Sequence, residues 1–431
     1  MNISVIGIWH LGSVTAACLA DFGHNITCID ENKETIKNLK DGILPIYEPG
    51  LKNLTQKYNK AGTLKYSDNF KNISNSDIVW ITYDTPVDKN DIADVEYVIK
   101  KINKAITFMK SNSTLIISSQ LPIGTSQLVK SKNKKLISEN SINLVCIPEN
   151  LRLGNSIKIF NNPDRIIVGI DSIKSKQLIT KIYKNISERI IWMSIASAEM
   201  TKHAINSFLA CSVVFINELS SICELTGADA NEVELGLKSE KRIGPHAYLK
   251  PGNAFAGGTL ARDISFLINK GKELNFDPLL FKAVLNSNNK HKNWIRNKIS
   301  FISKSNNIKN ISVLGLTYKP GTNTLRRSLS IELCNWLLKN NYKLKVHDPQ
   351  INYKPSEIDG SYEIYYDLDE KIFQTQILII SNECKEFLDL NFDEIYKKNP
   401  NLIVIDPNSF LLKSKNKSVN KFKYYNIGKS V

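Results

Sequence analysis

The chain has 431 residues, 42% of them hydrophobic, which is ample for a large core and too long for one typical domain. Its net charge of +15 comes from 57 Lys and Arg against 42 Asp and Glu, but the lysines are dispersed among asparagines, which argues against a basic nucleic-acid-binding stripe. Seven cysteines, an odd number without a CxxC and mostly in apolar strand or helix patterns, fit a reducing compartment, and the six scattered histidines show no zinc-site spacing, so no metal is expected.

Met1–Ile6 lacks a basic leader and runs directly into a strand pattern. The longest apolar run, near Leu209–Ile216, is short and interrupted by Cys211 and Ser212. A cytoplasmic protein is expected, with neither a membrane nor a nucleic-acid partner.

Asn2–Ile6 reads as a buried strand, followed by a glycine-containing turn and a helix over Leu11–Phe22 that Gly23 is placed to stop. A second strand, Asn25–Asp30, ends on an acid. A polar helix and the turn-rich stretch Gly42–Gly50 come next. Further strands are expected at Ile78–Tyr83, Thr114–Ser118, Ile142–Ile147 and Ile166–Ile170, with a helix over Val95–Met109. Strands alternating with helices predict a parallel sheet. Near Ser194 the pattern changes. Ala198–Leu225 reads as one long helix, and a largely helical region containing the glycine-rich loop Pro251–Gly258 runs on to about Ile302. From Ile311 the opening pattern returns: a strand into Gly315, a helix over Ser330–Lys339, and a strand ending in Asp348. The expected fold class is α/β, with two Rossmann-like doubly wound domains, 1–195 and 303–431, joined by a central helical region, 196–302.

The first turn, Gly7-Ile8-Trp9-His10-Leu11-Gly12, lies between a strand and a helix, and Asp30 ends the next strand. This is the context of a dinucleotide site. Gly7 suits the tight turn and Gly12 a close helix–strand approach, while the helix N-terminus offers amide donors to a pyrophosphate. Asp30 would accept both ribose hydroxyls and repel a 2′-phosphate, favouring NAD over NADP. Trp9 stands where the middle glycine normally lets backbone lie against the pyrophosphate. The turn by itself therefore fits either a dinucleotide or an α/β turn that has lost its cofactor.

Several further segments carry a resemblance. They are Tyr83-Asp84-Thr85-Pro86, Pro122-Ile123-Gly124-Thr125, Pro148-Glu149-Asn150-Leu151-Arg152, Asn162-Pro163-Asp164-Arg165, Glu199-Met200-Thr201-Lys202, Asn217-Glu218, Pro251 to Asp263, and Gly315-Leu316-Thr317-Tyr318-Lys319-Pro320. With the Gly7–Gly12 turn they span nearly the whole chain, in order, and resemble the UDP-glucose/GDP-mannose dehydrogenase family. Those enzymes oxidise C6 of a nucleotide-linked sugar to a carboxylate with two NAD. The resemblance implies an N-terminal NAD-binding domain, a central helical region that forms a homodimer, and a C-terminal domain that holds the nucleotide sugar.

The resemblance also implies roles for individual residues. Gly7, Trp9, Leu11, Gly12, Asp30, Thr85, Gln120, Glu149 and Arg326 would meet the cofactor. Leu151, Arg152, Tyr248, Phe255, Gly257 and Lys319 would line the substrate, and Arg242 would reach the sugar across the dimer interface. Lys202 and Asn206 match the family's central pair on the long helix, and their i,i+4 spacing puts them on one face. Asp263 matches the acid that holds the catalytic water and lysine. The chemistry is coherent: a lysine ammonium steadies a developing alkoxide, a carboxylate accepts the proton, and cationic groups suit a diphosphate.

One departure concerns the chemistry directly. The family's nucleophilic cysteine, in GFGG-x-C-x-x-K-D, falls on Thr259 here. The cysteine adds to the C6 aldehyde, and the thiohemiacetal gives up a second hydride to become a thioester. A threonine hydroxyl is far less acidic than a thiol. Trp9, Gln120, Asn150 and the segment Asp406-Pro407-Asn408 depart as well. Two functions are therefore weighed: an NAD-dependent nucleotide-sugar oxidoreductase that stops at the aldehyde or reaches the acid through its hydrate, with Thr259 in the catalytic set, and a non-catalytic nucleotide-sugar binder.

Overall fold

The computed structural model describes residues 1–86, 93–256, 258–414 and 417–430. It divides into two compact units. The first comprises Met1–Ile205 with Asn269–Asn275, and the second Asn206–Ile268 with Phe276–Val431.

The first unit is built on eight strands: β1 (Asn2–Ile6), β2 (Asn25–Ile29), β3 (Leu64–Ser67), β4 (Ile78–Ile81), β5 (Thr114–Ile117), β6 (Asn143–Cys146), β7 (Ile166–Ile170) and β8 (Ile190–Met193). Their order is β3-β2-β1-β4-β5-β6-β7-β8. All neighbours are parallel except β6 and β7, which run antiparallel. β4 is wholly apolar and β5 nearly so, and β1 buries Ile3, Val5 and Ile6, as strands covered on both faces do (Val79, Ile81 and Leu115 are buried too). Because β1 sits inside the sheet between β2 and β4, the turn after it opens at the sheet's C-terminal edge, where such folds bind ligands. The parallel expectation holds up to β6, after which the chain doubles back. Gly169 on β7 allows the long helix to approach: a Cβ there would meet the Cβ of Ala198 at 2.7 Å.

That helix, Ile195–Thr226, has 32 residues and starts in the first unit. Among the described residues it is the one helix long and apolar enough, by length and composition, to cross a membrane. Three of its buried polar side chains are nonetheless engaged by protein groups, as suits a core helix: His203 with the Leu121 carbonyl, Asn217 with the Gly252 amide and Ser220 with the Ile216 carbonyl.

The second unit carries six parallel strands: β9 (Asn310–Leu314), β10 (Lys343–His347), β11 (Glu363–Ile364), β12 (Ile377–Ile380), β13 (Ile403–Ile405) and β14 (Lys423–Tyr425). Their order is β11-β10-β9-β12-β13-β14. The unit also holds the rest of the long helix and the helices Ala230–Ser239, Leu279–His291 and Trp294–Ser305. In the first sheet the sequence reading named six of the eight strands and passed over β3 and β8, the two at its edges.

Candidate active site

The first unit contains the dinucleotide turn. Gly7 has φ +93°, a left-handed conformation that favours glycine, and a Cβ there would meet the Tyr83 amide at 2.8 Å. A Cβ on Gly12 would sit 2.2 Å from the Gly7 carbonyl oxygen, so the helix His10–Asp21 can start this close to β1 only with glycine there. Trp9 precedes that helix at φ −116° and is 47% exposed. Asp30 accepts the Ile8 amide on Oδ2 and the Asn32 amide on Oδ1, each at 3.0 Å. Each oxygen keeps lone-pair capacity for a ribose hydroxyl.

The second unit offers an instructive contrast. Asp348 ends β10 as Asp30 ends β2, but it is fully buried and its Oδ2 takes the Leu316 amide at 2.6 Å and the Thr317 amide at 2.9 Å. Here the acid closes its own turn.

Around the first turn, the Thr85 hydroxyl donates to the Gln120 carbonyl at 2.6 Å and ties two sheet-edge loops together. A cavity of about 80 Å³ is lined by Leu11, Thr15, Trp80, Ser118, Glu149 and Leu151 among others. The Trp80 indole N–H donates to Ser118 Oγ at 2.8 Å, so this apolar lining holds no orphaned indole donor. The long helix is bolted to the neighbouring Leu121–Ser126 turn. Glu199 accepts the Gly124 amide at 2.6 Å and the Ser126 amide at 2.9 Å, and one turn on, His203 Nε2 lies 2.9 Å from the Leu121 carbonyl. Lys202, between them, places Nζ 3.6 Å from Glu149 Oε2, with side-chain exposures of 12% and 19%. Arg152 is exposed, and its carbonyl accepts from the Ser156 hydroxyl.

In the second unit, Asn206 donates its amide to the fully buried Asp263. Asp263 lies on the second turn of the helix Thr259–Glu273, and Thr259 opens that helix in an exposed position. The preceding glycine-rich loop is pinned by amide side chains. Asn288 brackets Phe255, accepting its N–H at 3.0 Å and donating to its carbonyl at 2.8 Å. Asn408 accepts the Asn253 amide at 2.9 Å, and Asn217 accepts the Gly252 amide at 3.2 Å. The Phe255 ring packs with Ala210, Val214 and Ile264. Tyr248, Arg242, Lys319 and Arg326 are exposed, and the Arg242 Nε donates to Glu240 at 3.0 Å. Gly257 lies outside the described residues. Glu199, His203 and Asn288 were not singled out from the sequence. Glu199 stood inside a recognised motif, whereas Asn288 carried no local signal.

The geometry defines a class: a dinucleotide-binding α/β oxidoreductase with a lysine–carboxylate pair beside its cofactor turn. The comparisons narrow it. The NAD binding domain of the UDP-glucose/GDP-mannose dehydrogenase family matches residues 1–187, its central domain 196–290 and its UDP binding domain 312–413. The UDP-glucose 6-dehydrogenase of Rickettsia bellii (strain RML369-C) is 31% identical over 438 residues, covering 100% of both chains. TuaD of Bacillus subtilis (strain 168), also a UDP-glucose 6-dehydrogenase, is 31% identical over 94% of this chain and 88% of its own. A UDP-glucose dehydrogenase structure from Pyrobaculum islandicum superposes with a TM-score of 0.86 at 24% identity, covering 100% of this chain and 98% of that one. The chain belongs to the UDP-glucose/GDP-mannose dehydrogenase family. It is an NAD-dependent nucleotide-sugar dehydrogenase by that membership, and the glycine turn and Asp30 fit NAD.

Proposed function

We propose that this protein oxidises C6 of a UDP-sugar and releases mainly the aldehyde or its hydrate. The candidate substrates are UDP-glucose, UDP-N-acetylglucosamine and UDP-N-acetylmannosamine. The observation that carries the reading is Thr259, at the family's cysteine position and at the start of a helix whose next turn bears Asp263. NAD, held by the Gly7–Gly12 turn and Asp30, would supply the hydride acceptor for C6. Lys202 steadies the alkoxide as it forms, and Glu149, or Asp263 through a water, accepts the hydroxyl proton. Asn206 fixes the Asp263 carboxylate by donating to it.

A second oxidation by the family's covalent route needs a thiolate. Burial pushes the thiols of Cys18 and Cys384 up to about 12, with nearby acids adding to it. It raises those of Cys28, Cys146 and Cys334 as well. None of these serves as a nucleophile near neutrality. A slow second step through the gem-diol, itself an alcohol, remains chemically open. The protein works as a cytoplasmic homodimer in this reading.

A non-catalytic nucleotide-sugar binder is the second reading, favoured by Trp9 at the middle-glycine position. The test is NADH formation with a panel of nucleotide sugars, with NADH counted per product and the product identified by mass spectrometry. One fast NADH and a 6-aldehyde are expected, and Thr259→Cys should accelerate the second step. Two rapid NADH and a uronic acid from the native protein would overturn the aldehyde stop. No NADH with any of these sugars would favour the binder.

A further inference from the structure

His10 is the first residue of the helix His10–Asp21, inside the cofactor turn, yet its imidazole is turned into the protein with only 12% of the side chain exposed. Nε2 lies 3.1 Å from Glu48 Oε2 and 2.9 Å from Ser156 Oγ. Glu48 is itself buried, its side chain 1% exposed, and it accepts the backbone amides of Gly154 and Ser156, each at 2.8 Å. The Ser156 hydroxyl also contacts the Arg152 carbonyl at 2.8 Å.

The donor inventory fixes how this cluster is wired. An ionised carboxylate only accepts, so the hydrogen must sit on Nε2. A carbonyl only accepts too, so Ser156 spends its hydrogen on Arg152 and receives the Nε2–H on a lone pair. One imidazole N–H is thus shared between the carboxylate that organises the Arg152–Ser156 loop and the hydroxyl that closes it. The same residue contributes the opening backbone of the helix whose amides face a dinucleotide pyrophosphate.

We propose that His10 is a positioning residue that latches the loop Leu151–Ser156 to the cofactor turn, so that nucleotide-sugar affinity depends on occupation of the dinucleotide site. The inference rests on the reading above that Leu151 and Arg152 line the substrate. Binding of the dinucleotide restrains the turn that carries His10. The shared N–H passes that restraint to Glu48 and Ser156, and from them to the loop. By linkage, the sugar nucleotide strengthens dinucleotide binding by the same factor.

The test is calorimetric titration of UDP-glucose with and without NAD, in the native protein and in His10→Leu, His10→Gln and Ser156→Ala. Steady-state KM and kcat are measured alongside, with thermal unfolding as a check on folding. Glutamine keeps an N–H donor near the Nε2 position, and leucine does not. NAD is expected to tighten UDP-glucose binding in the native protein. His10→Leu should abolish that coupling and raise the sugar-nucleotide KM by about ten-fold, the size expected for losing a hydrogen bond to a charged group, with kcat changed less. His10→Gln should restore most of it, and Ser156→Ala should give a partial loss. Native coupling that persists in a folded His10→Leu overturns the latch. So does a uniform loss of stability and of both affinities that glutamine does not rescue. If the native protein binds neither ligand, the functional reading itself fails and the latch falls with it.

Discussion

Lys202 Nζ stands 3.6 Å from Glu149 Oε2, joining the first turns of the long helix to the loop that follows β6. Both side chains are largely shielded, so water screens the pair less than it would at the surface. The ammonium that would support an alkoxide and a carboxylate that could take its proton are held in one place. Replacing Lys202 with Met should lower kcat by about 10²–10³-fold, the usual cost of removing a preorganised electrostatic contact to a developing oxyanion. NAD affinity should change little. Stopped-flow NADH formation together with equilibrium NAD titration checks both halves, and a kcat close to native would remove Lys202 from the mechanism.

Asp30, at the end of β2, is proposed to set the cofactor choice. NAD should bind more tightly than NADP, and Asp30→Ser should narrow the gap. Because Asp30 also accepts the Ile8 and Asn32 amides, the variant should lose on the order of 1–3 kcal/mol of stability. Fluorescence titration with both dinucleotides, paired with a denaturation curve, separates the two effects. Equal native affinities would contradict the role.

Phe208, Phe215 and Ile222 follow one another at intervals of seven on the long helix and are 71%, 50% and 55% exposed. Such an apolar stripe fits a helix packed against a second copy. Sedimentation at micromolar protein should show a dimer, and Phe215→Lys should shift it towards monomer. Arg242→Ala should weaken nucleotide-sugar binding more than NAD binding. A native monomer with full substrate affinity would refute both expectations.

Asp406 supplies a pH dependence in the second unit. Its carboxyl is fully buried, one oxygen accepts the Leu411 amide and the Tyr424 hydroxyl, and the other has no hydrogen-bond partner among the described residues. Burial raises its pKa, with the charge of Glu383 adding, against the lowering effect of those hydrogen bonds. The folded state therefore keeps this proton to a higher pH than the unfolded chain, where Asp titrates near ~3.9. The contribution is fully present below that pH and is lost as pH rises through the folded pKa. Asp406→Asn should accordingly gain stability relative to the native protein as pH is raised from about 4 to 8. Urea denaturation across that range gives the difference directly, and a flat difference would show that Asp406 ionises in the folded state as it does in the unfolded one.

The sequence by itself determined what depends on neighbours along the chain. The strand–turn–helix that opens on Gly7, the acid closing β2, the i,i+4 placement of Lys202 and Asn206, and the return of the βαβ pattern near Ile311 all follow from local periodicity and residue spacing. Tertiary structure decided what depends on partners far apart in sequence. It paired Glu149 with Lys202, gave Glu48 two amides from the loop after β6, and buried the Phe255 ring against Ala210 and Ile264. It also turned β7 antiparallel and buried Asp348 against three backbone amides, those of Leu316, Thr317 and Gln350, while Asp30 accepts two and stays partly exposed. Two acids that end equivalent strands read alike in sequence. They differ because hydrogen-bond capacity is settled by which donors the packed chain brings within reach, and no local pattern encodes that.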